Sequence, residues 1–99
     1  MGAKKRINIG PDQIVTFADA TVTSSAAIVI ANRPDRDAAI VTNTDASVAI
    51  RVGDANITTS RGIKVGAGES ATLYTTAAIY AISEGADVTV ALGETRFTA

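Results

Sequence analysis

Residues 48–52 read Val48-Ala49-Ile50-Arg51-Val52, and this stretch decides the fold class. Branched apolar side chains occupy alternate positions, with Ala49 and Arg51 between them. Successive side chains of a strand point to opposite faces of a sheet, so this alternation is typical of a half-buried β-strand. A helix would instead need apolar residues three and four positions apart. We therefore predict a strand here.

Further segments on both sides of this stretch have strand character. Alternating segments lie at residues 48–52, 63–65, 71–74 and 88–92. Two others, 26–31 and 77–82, are apolar on both faces, which indicates strands in the middle of a sheet or strands covered by another subunit. Helix is the weaker interpretation of both because they are rich in β-branched residues. Strands are also expected near 14–17 and 38–42, which gives about eight in total.

Composition supports the same fold class. The chain has 11 Ile, 9 Val and 13 Thr against 2 Leu, so a third of its 99 residues are β-branched. Such side chains are tolerated better in pleated strands than in helices. The length is enough for one domain. The sequence therefore predicts one all-β domain over residues 13–99, whose roughly eight strands have the spacing typical of sandwiches and barrels.

Turn-forming residues separate the expected strands. Arg33-Pro34-Asp35 predicts a turn, Asn43–Ala46 is expected to close a hairpin, and glycine-containing turns follow at 66–69 and 84–87. The longest irregular stretch is Gly53–Gly62, which is rich in Thr and Ser and is predicted to be an exposed loop. Its candidate contact residues are Asp54, Asn56, Thr58, Thr59 and Arg61.

Residues 1–12 differ from the rest and are interpreted as an extended N-terminal arm. The candidate partner-binding residues in it are Lys4, Lys5, Arg6, Ile7 and Ile9. Ile7 and Ile9 alternate with a polar residue, so the arm could add a strand to the sheet edge of a neighbouring subunit. The basic cluster could follow a phosphate backbone. The alternative is a solvated basic terminus that aids solubility or meets an acidic protein surface.

Several classes of function are disfavoured by what the sequence lacks. It contains no Cys and no His, which removes disulfides, thiolate or imidazole zinc sites and imidazole-based catalysis. The formal charge of −1 gives no overall field toward nucleic acid. Neither a signal sequence nor an apolar run of about 18 residues is visible, so a soluble protein is expected. We expect no cofactor, no small-molecule substrate and no catalytic residue.

Two weaker motifs have ordinary structural explanations. The segment 66–70, Gly-Ala-Gly-Glu-Ser, superficially resembles a phosphate-binding loop, but no Lys follows its glycines, and a turn between strands is favoured. Asp35, Asp37, Asn43 and Asp45 carry oxygen ligands that suit calcium, yet their spacing fits no calcium loop and each suits a turn. We expect no metal site.

From Asn32 to Glu94 the chain resembles the small head-decoration, or cement, proteins of tailed bacteriophages and related virion accessory subunits. The resembling stretches are Asn32-Arg33, residues 39–43, Val48–Gly53, Gly62–Val65, Gly68–Ser70 and Ile79–Ser83. The resemblance implies a single β-sandwich of about eight strands, of which a jelly roll is one form. It further implies a homo-oligomer, a trimer being favoured, that clamps the major capsid protein from outside. It also implies a virion location on the capsid exterior, with assembly in the host cytoplasm.

Two other functions remain open at this point. The chain could be a phage tail or receptor-contacting module, in which the Gly53–Gly62 loop would recognise a cell-surface ligand. It could also be an enzyme subunit, but that would require a cluster of Asp, Glu, Lys or Thr side chains that a sequence does not reveal. The first of these predicts ligand binding by the isolated subunit, and the second predicts turnover of a substrate.

Overall fold

A computed structural model describes residues 11–98 of the chain. Every regular element in this range is a strand. The strands are β1 (Gln13–Val22), β2 (Ala27–Ile30), β3 (Arg36–Asn43), β4 (Ile50–Gly53), β5 (Ile63–Val65), β6 (Ser70–Leu73), β7 (Ile79–Ser83) and β8 (Val88–Arg96). The all-β prediction is therefore confirmed.

The strands form two four-stranded antiparallel sheets, with the orders β1-β8-β3-β6 and β2-β7-β4-β5. The first strand pairs with the last, the second with the seventh, the third with the sixth and the fourth with the fifth. A chain that pairs in this nested way behaves like one long hairpin wrapped around a barrel, which is the pattern of a jelly roll. The predicted eight-stranded sandwich is confirmed.

Alternation along the strands builds the core between the two sheets. Val88, Val90 and Leu92 of β8 face inward and are buried, and Ile50 and Val52 of β4 meet them from the opposite sheet. Removing such side chains from water supplies most of the driving force for folding. The buried side chains are mostly Val, Ile and Ala, which explains why the sequence is so rich in β-branched residues.

The position of β2 corrects the first of the two interpretations of segment 26–31, a strand in the middle of a sheet, whereas coverage by another subunit stays a prediction. The apolar segment at 26–31 does form a strand, but β2 lies at the edge of its sheet, and its Ile28 is 52% exposed. The similar segment at 77–82 gives β7, which does lie in the middle between β2 and β4. An apolar run on both faces therefore does not separate a central strand from an edge strand.

The turn that follows β3 is also different from the predicted hairpin. Residues 44–49 carry the chain from β3 in one sheet to β4 in the other, so the two strands do not pair. The buried side chain of Asn43 stabilises this crossing, since its Nδ2 donates to the carbonyls of Val48 (2.8 Å) and Val65 (3.1 Å). An amide with two donors can thus tie β3 to the connection before β4 and to β5 of the other sheet, with which β3 makes no strand pairing.

Candidate protein-binding face

The outer face of the β1-β8-β3-β6 sheet carries no charged side chain at its paired positions. Residues directly opposite each other on neighbouring strands lie on the same side of a sheet, so the register defines this face. We call it the uncharged face, and it consists of twelve residues: Ile14, Thr16, Thr21, Ala38, Ile40, Thr42, Ser70, Thr72, Thr89, Ala91, Gly93 and Thr95. Two acids lie at its margin in strand irregularities, Asp19 in β1 and Asp37 in β3.

A shallow hollow lies in the middle of the uncharged face. Gly93 is in register with Thr16 on one side and Ile40 on the other, and it has no side chain to fill the space between them. The resulting depression has a volume of about 260 Å³ and is lined by residues 40, 42 and 91–93. A surface of small and β-branched side chains around such a hollow is suited to receive an apolar side chain from another protein.

The outer face of the β2-β7-β4-β5 sheet has a different character. Arg51 donates from Nε to Glu84 Oε2 at 2.8 Å, and Lys64 Nζ lies 3.6 Å from Oε1 of the same carboxylate. The hydrogen bond from Arg51, followed by the charge of Lys64, holds the pKa of Glu84 below its ordinary value, although desolvation opposes the shift. This face therefore presents an ionic network to the solvent.

The structure places the predicted contact residues of the Gly53–Gly62 loop in exposed positions. These residues are Asp54, Asn56, Thr58, Thr59 and Arg61. The loop is held by a residue that the sequence analysis did not single out: Ile57 is buried, and its Cγ2 lies 2.8 Å from where a Cβ on Gly53 would be. Thr58 and Arg61 also exchange two backbone hydrogen bonds, so the exposed side chains rest on a fixed turn.

The predicted arm residues, Lys4, Lys5, Arg6, Ile7 and Ile9, lie outside the described part of the chain. The first described residues join the sandwich at the end where β8 finishes. There the backbone N–H of Asp12 donates to the carbonyl of Arg96 at 3.1 Å. The role of the arm in strand addition stays a prediction.

An ionic cluster at that same end was missed by the sequence analysis. Glu94 on β8 is 1% exposed, and its carboxylate meets three guanidinium groups. Oε1 accepts from Nη1 of Arg36 at 3.2 Å, while Oε2 contacts Nε of Arg33 at 3.4 Å and Nε of Arg96. The alternation of side chains along β8 could have indicated it. Glu94 continues the inward-facing series of Val88, Val90 and Leu92, and a buried carboxylate needs a partner.

Arg36 ties this cluster to two connecting segments of the chain. Besides Glu94, its guanidinium donates to the carbonyls of Thr75 (2.8 Å), Ala31 (2.8 Å) and Ala77. Ala31 follows β2 and Ala77 precedes β7, so one buried side chain joins the connections between the two sheets. Such a guanidinium has a structural role, because each of its three nitrogens already has an acceptor.

The glycine-containing motif forms an ordinary turn, but the acidic motif does so only in part, because Asp37 and Asn43 belong to β3 while Asp35 and Asp45 lie outside the strands. Asp45 accepts from the backbone N–H groups of Ser47 and Val48, and these bonds lower the pKa of its carboxyl group. In the glycine-containing turn, Glu69 Oε1 accepts from the N–H of Gly66 at 2.8 Å, and Gly68 adopts a φ of +75°, which glycine tolerates best. Within residues 11–98 no group of three or more acidic side chains is gathered to hold a metal ion.

Comparisons with known proteins identify no relative. No protein-family description, no curated protein and no solved structure matches this chain. The described residues also include no helix long and apolar enough to cross a membrane. Function therefore has to be argued from the surfaces themselves.

Proposed function

We propose that this chain is a structural virion protein that binds and stabilises a bacteriophage capsid as a decoration subunit, through protein–protein contacts. The observation that carries the proposal is the uncharged face, which differs from the ionic outer face of the other sheet. The same function is what the resemblance of residues 32–94 to head-decoration proteins implies. The subunit would sit on the capsid exterior after assembly in the host cytoplasm.

The chemistry of the uncharged face suits a protein partner better than a small molecule. Charged residues are depleted from the centres of protein interfaces, because burying an unpaired charge is costly. The hollow above Gly93 is too open to enclose a small molecule, and its lining offers few polar groups to orient one. A broad surface whose paired positions carry no charge can instead lie against another folded surface and exclude water from it.

Oligomerisation would increase the strength of this attachment. A single face of this size gives modest affinity, but subunits joined as a trimer bind a repeating shell several times at once. We therefore expect the purified chain to sediment as a homotrimer in analytical ultracentrifugation. The proposal would be contradicted if the chain stayed monomeric at all concentrations and did not bind capsids.

The direct test compares two identical substitutions on opposite faces. Purified shells of the phage that encodes the chain are mixed with the wild type, with Ile40→Lys and with Ile28→Lys, and bound protein is measured by co-sedimentation. Ile40 lines the hollow of the uncharged face, whereas Ile28 is exposed on the other sheet. We expect the wild type and Ile28→Lys to pellet with shells, and Ile40→Lys to lose about a hundredfold in affinity.

Two results would contradict the proposal. The wild type could fail to pellet with shells, or Ile28→Lys could lose binding while Ile40→Lys keeps it. Thermal melts of both variants serve as the folding control. A lysine at either position keeps a long apolar stem that can lie along the sheet while its ammonium reaches water.

A second function, that of a tail or receptor-contacting module, is supported by the Gly53–Gly62 loop. Its exposed polar side chains stand on a turn anchored by buried Ile57, and rigid loops of this kind are common recognition sites. The receptor-contacting function predicts that the isolated subunit binds host cells and that the double variant Thr59→Ala/Arg61→Ala does not. Ile40→Lys would then retain cell binding, which separates the two functions.

A further inference from the structure

The single negative charge of Glu94 faces more than one positive side chain. Three guanidinium groups, those of Arg33, Arg36 and Arg96, contact its two oxygens. No other ion pair is formed by these arginines among residues 11–98. The cluster therefore carries two positive charges in excess, at a place where water is partly excluded. Positive charges held this close repel one another unless an anion lies nearby.

The three arginines differ in how far their donors are used. Arg36 is buried, and its Nε, Nη1 and Nη2 all donate to protein acceptors. Arg33 and Arg96, which we call the arginine pair, each direct only Nε to Glu94. Their four Nη nitrogens make no hydrogen bond to any described residue, whereas each could donate two. The arginine pair thus has free donors in reach of solvent, since the side chain of Arg33 is 44% exposed and that of Arg96 is 16% exposed.

The geometry also holds these free donors in place. Both Nε nitrogens contact the same oxygen, Glu94 Oε2, so the two guanidinium groups meet at one carboxylate atom. Glu94 is fixed in β8, and Arg96 pairs with Gln13 of β1 and with Arg36 of β3. A guanidinium orders its donors in a planar fork that matches the oxygens of a carboxylate or phosphate. Little conformational entropy would be lost when an anion binds to groups that are already positioned.

We propose that the arginine pair, positioned by Glu94, is a binding site for an oxyanion, either the carboxylate of an acidic side chain or a phosphate group. Glu94 is a positioning residue in this site and does not touch the ligand. The site lies where β1 begins and β8 ends, apart from the hollow of the uncharged face. The proposal goes beyond capsid binding and does not depend on it.

The test uses the full chain labelled with ¹⁵N and follows the Nε–Hε signals of its arginines by NMR. Inorganic phosphate and N-acetyl-glutamate amide are titrated separately, with ionic strength held constant by sodium chloride. We expect the signals of Arg33 and Arg96 to move with a saturable profile for at least one anion, while those of Arg51 and Arg61 stay in place. Tighter binding of phosphate would indicate a phosphate ligand, and tighter binding of the glutamate derivative an acidic side chain.

Matched variants test whether the arginine pair is responsible for anion binding. Arg33→Gln, which changes a half-exposed side chain and should leave the fold intact, is expected to weaken anion binding about tenfold or more. Arg61→Gln removes the same charge from the exposed loop and is expected to bind like the wild type. The proposal is overturned if neither anion moves the Arg33 and Arg96 signals, or if the two variants weaken binding equally. No capsid enters the experiment, so its failure would leave the proposed function standing.

Discussion

Two glutamates of the same chain each gather cationic side chains, and they do so in opposite surroundings. Glu94 is 1% exposed between the sheets and meets Arg33, Arg36 and Arg96. Glu84 is 22% exposed on an outer face and meets Arg51 and Lys64. The chemistry is nearly the same in both clusters, so differences between them report on burial.

Burial changes what each cluster contributes to the molecule. At Glu84 water can replace any partner that is lost, so the network adds little to folding. At Glu94 the loss of the buried partner, Arg36, leaves polar atoms without hydrogen bonds in a region closed to water. The Glu94 cluster also joins loops from both sheets through Arg36. The comparison therefore assigns the inner cluster to the architecture and the outer one to the properties of the surface.

The largest expected effect comes from Arg36→Met. This change keeps an apolar stem but removes the donors to Glu94 Oε1 and to the carbonyls of Ala31, Thr75 and Ala77. Breaking a buried pair in this way should cost about 3–5 kcal/mol of unfolding free energy. For a domain of this size the melting temperature should fall by about 12 °C or more. Thermal denaturation, monitored by circular dichroism, measures the melting temperature.

The matched control for that variant is Arg51→Met on the outer face. Arg51 also donates to a glutamate and to a carbonyl, that of Gly62 at 3.2 Å, but water reaches both acceptors. Its melting temperature should stay close to that of the wild type. Equal decreases in melting temperature in Arg36→Met and Arg51→Met would show that burial does not make the two clusters differ in their contribution to stability.

The difference in lost stability between the two clusters should be smaller when the glutamates themselves are changed. Glu94→Gln keeps the shape and one accepting oxygen, so part of the hydrogen bonding survives while three guanidinium groups lose their counter-charge. We expect a loss of about 2 kcal/mol in urea denaturation, below that of Arg36→Met. Glu84→Gln should unfold at a urea midpoint close to that of the wild type. If Glu84→Gln proved the more damaging of the two, the assignment of roles would be reversed.

The strands and the clusters differ in how well a sequence predicts them. Strands are predicted by local alternation, as in residues 48–52 and 88–92, because the side-chain period of a strand is expressed within a few neighbouring residues. The Glu94 cluster depends on the pairing of β3 with β8, which brings together residues 58 positions apart. No local pattern contains that register. An acid at the inward phase of β8 indicates only that a counter-charge must exist.

The uncharged face shows the same division between local and non-local information. Thr89, Ala91, Gly93 and Thr95 can be assigned to one side of β8 from their spacing alone. That they adjoin Ile40 of β3 and Thr16 of β1 requires the strand order, which the jelly-roll pairing supplies. The edge position of β2 was missed for the same reason, since apolar content does not encode a strand's neighbours.

The smallest expected effect is the pH dependence of the outer cluster. The pKa of Glu84 is lowered in the folded state from an ordinary value of 4.5, mainly by the hydrogen bond from Arg51. A carboxyl group with a lowered folded pKa stabilises the protein above its unfolded pKa, and this contribution disappears as pH falls through the folded pKa.

The wild type and Glu84→Gln should therefore differ slightly in unfolding free energy at pH 7, and the difference should vanish as the pH is lowered below about 4.5. Urea denaturation of both proteins at pH 7, 5, 4 and 3 measures it. Asp45, whose pKa is also lowered, is present in both and cancels in the comparison. Because Glu84 is reached by water, 1 M salt should reduce the difference at pH 7 as well. A difference that grew toward acid pH would mean that Glu84 is stabilised in its protonated form, and the outer cluster would then lose its description as an ionic network.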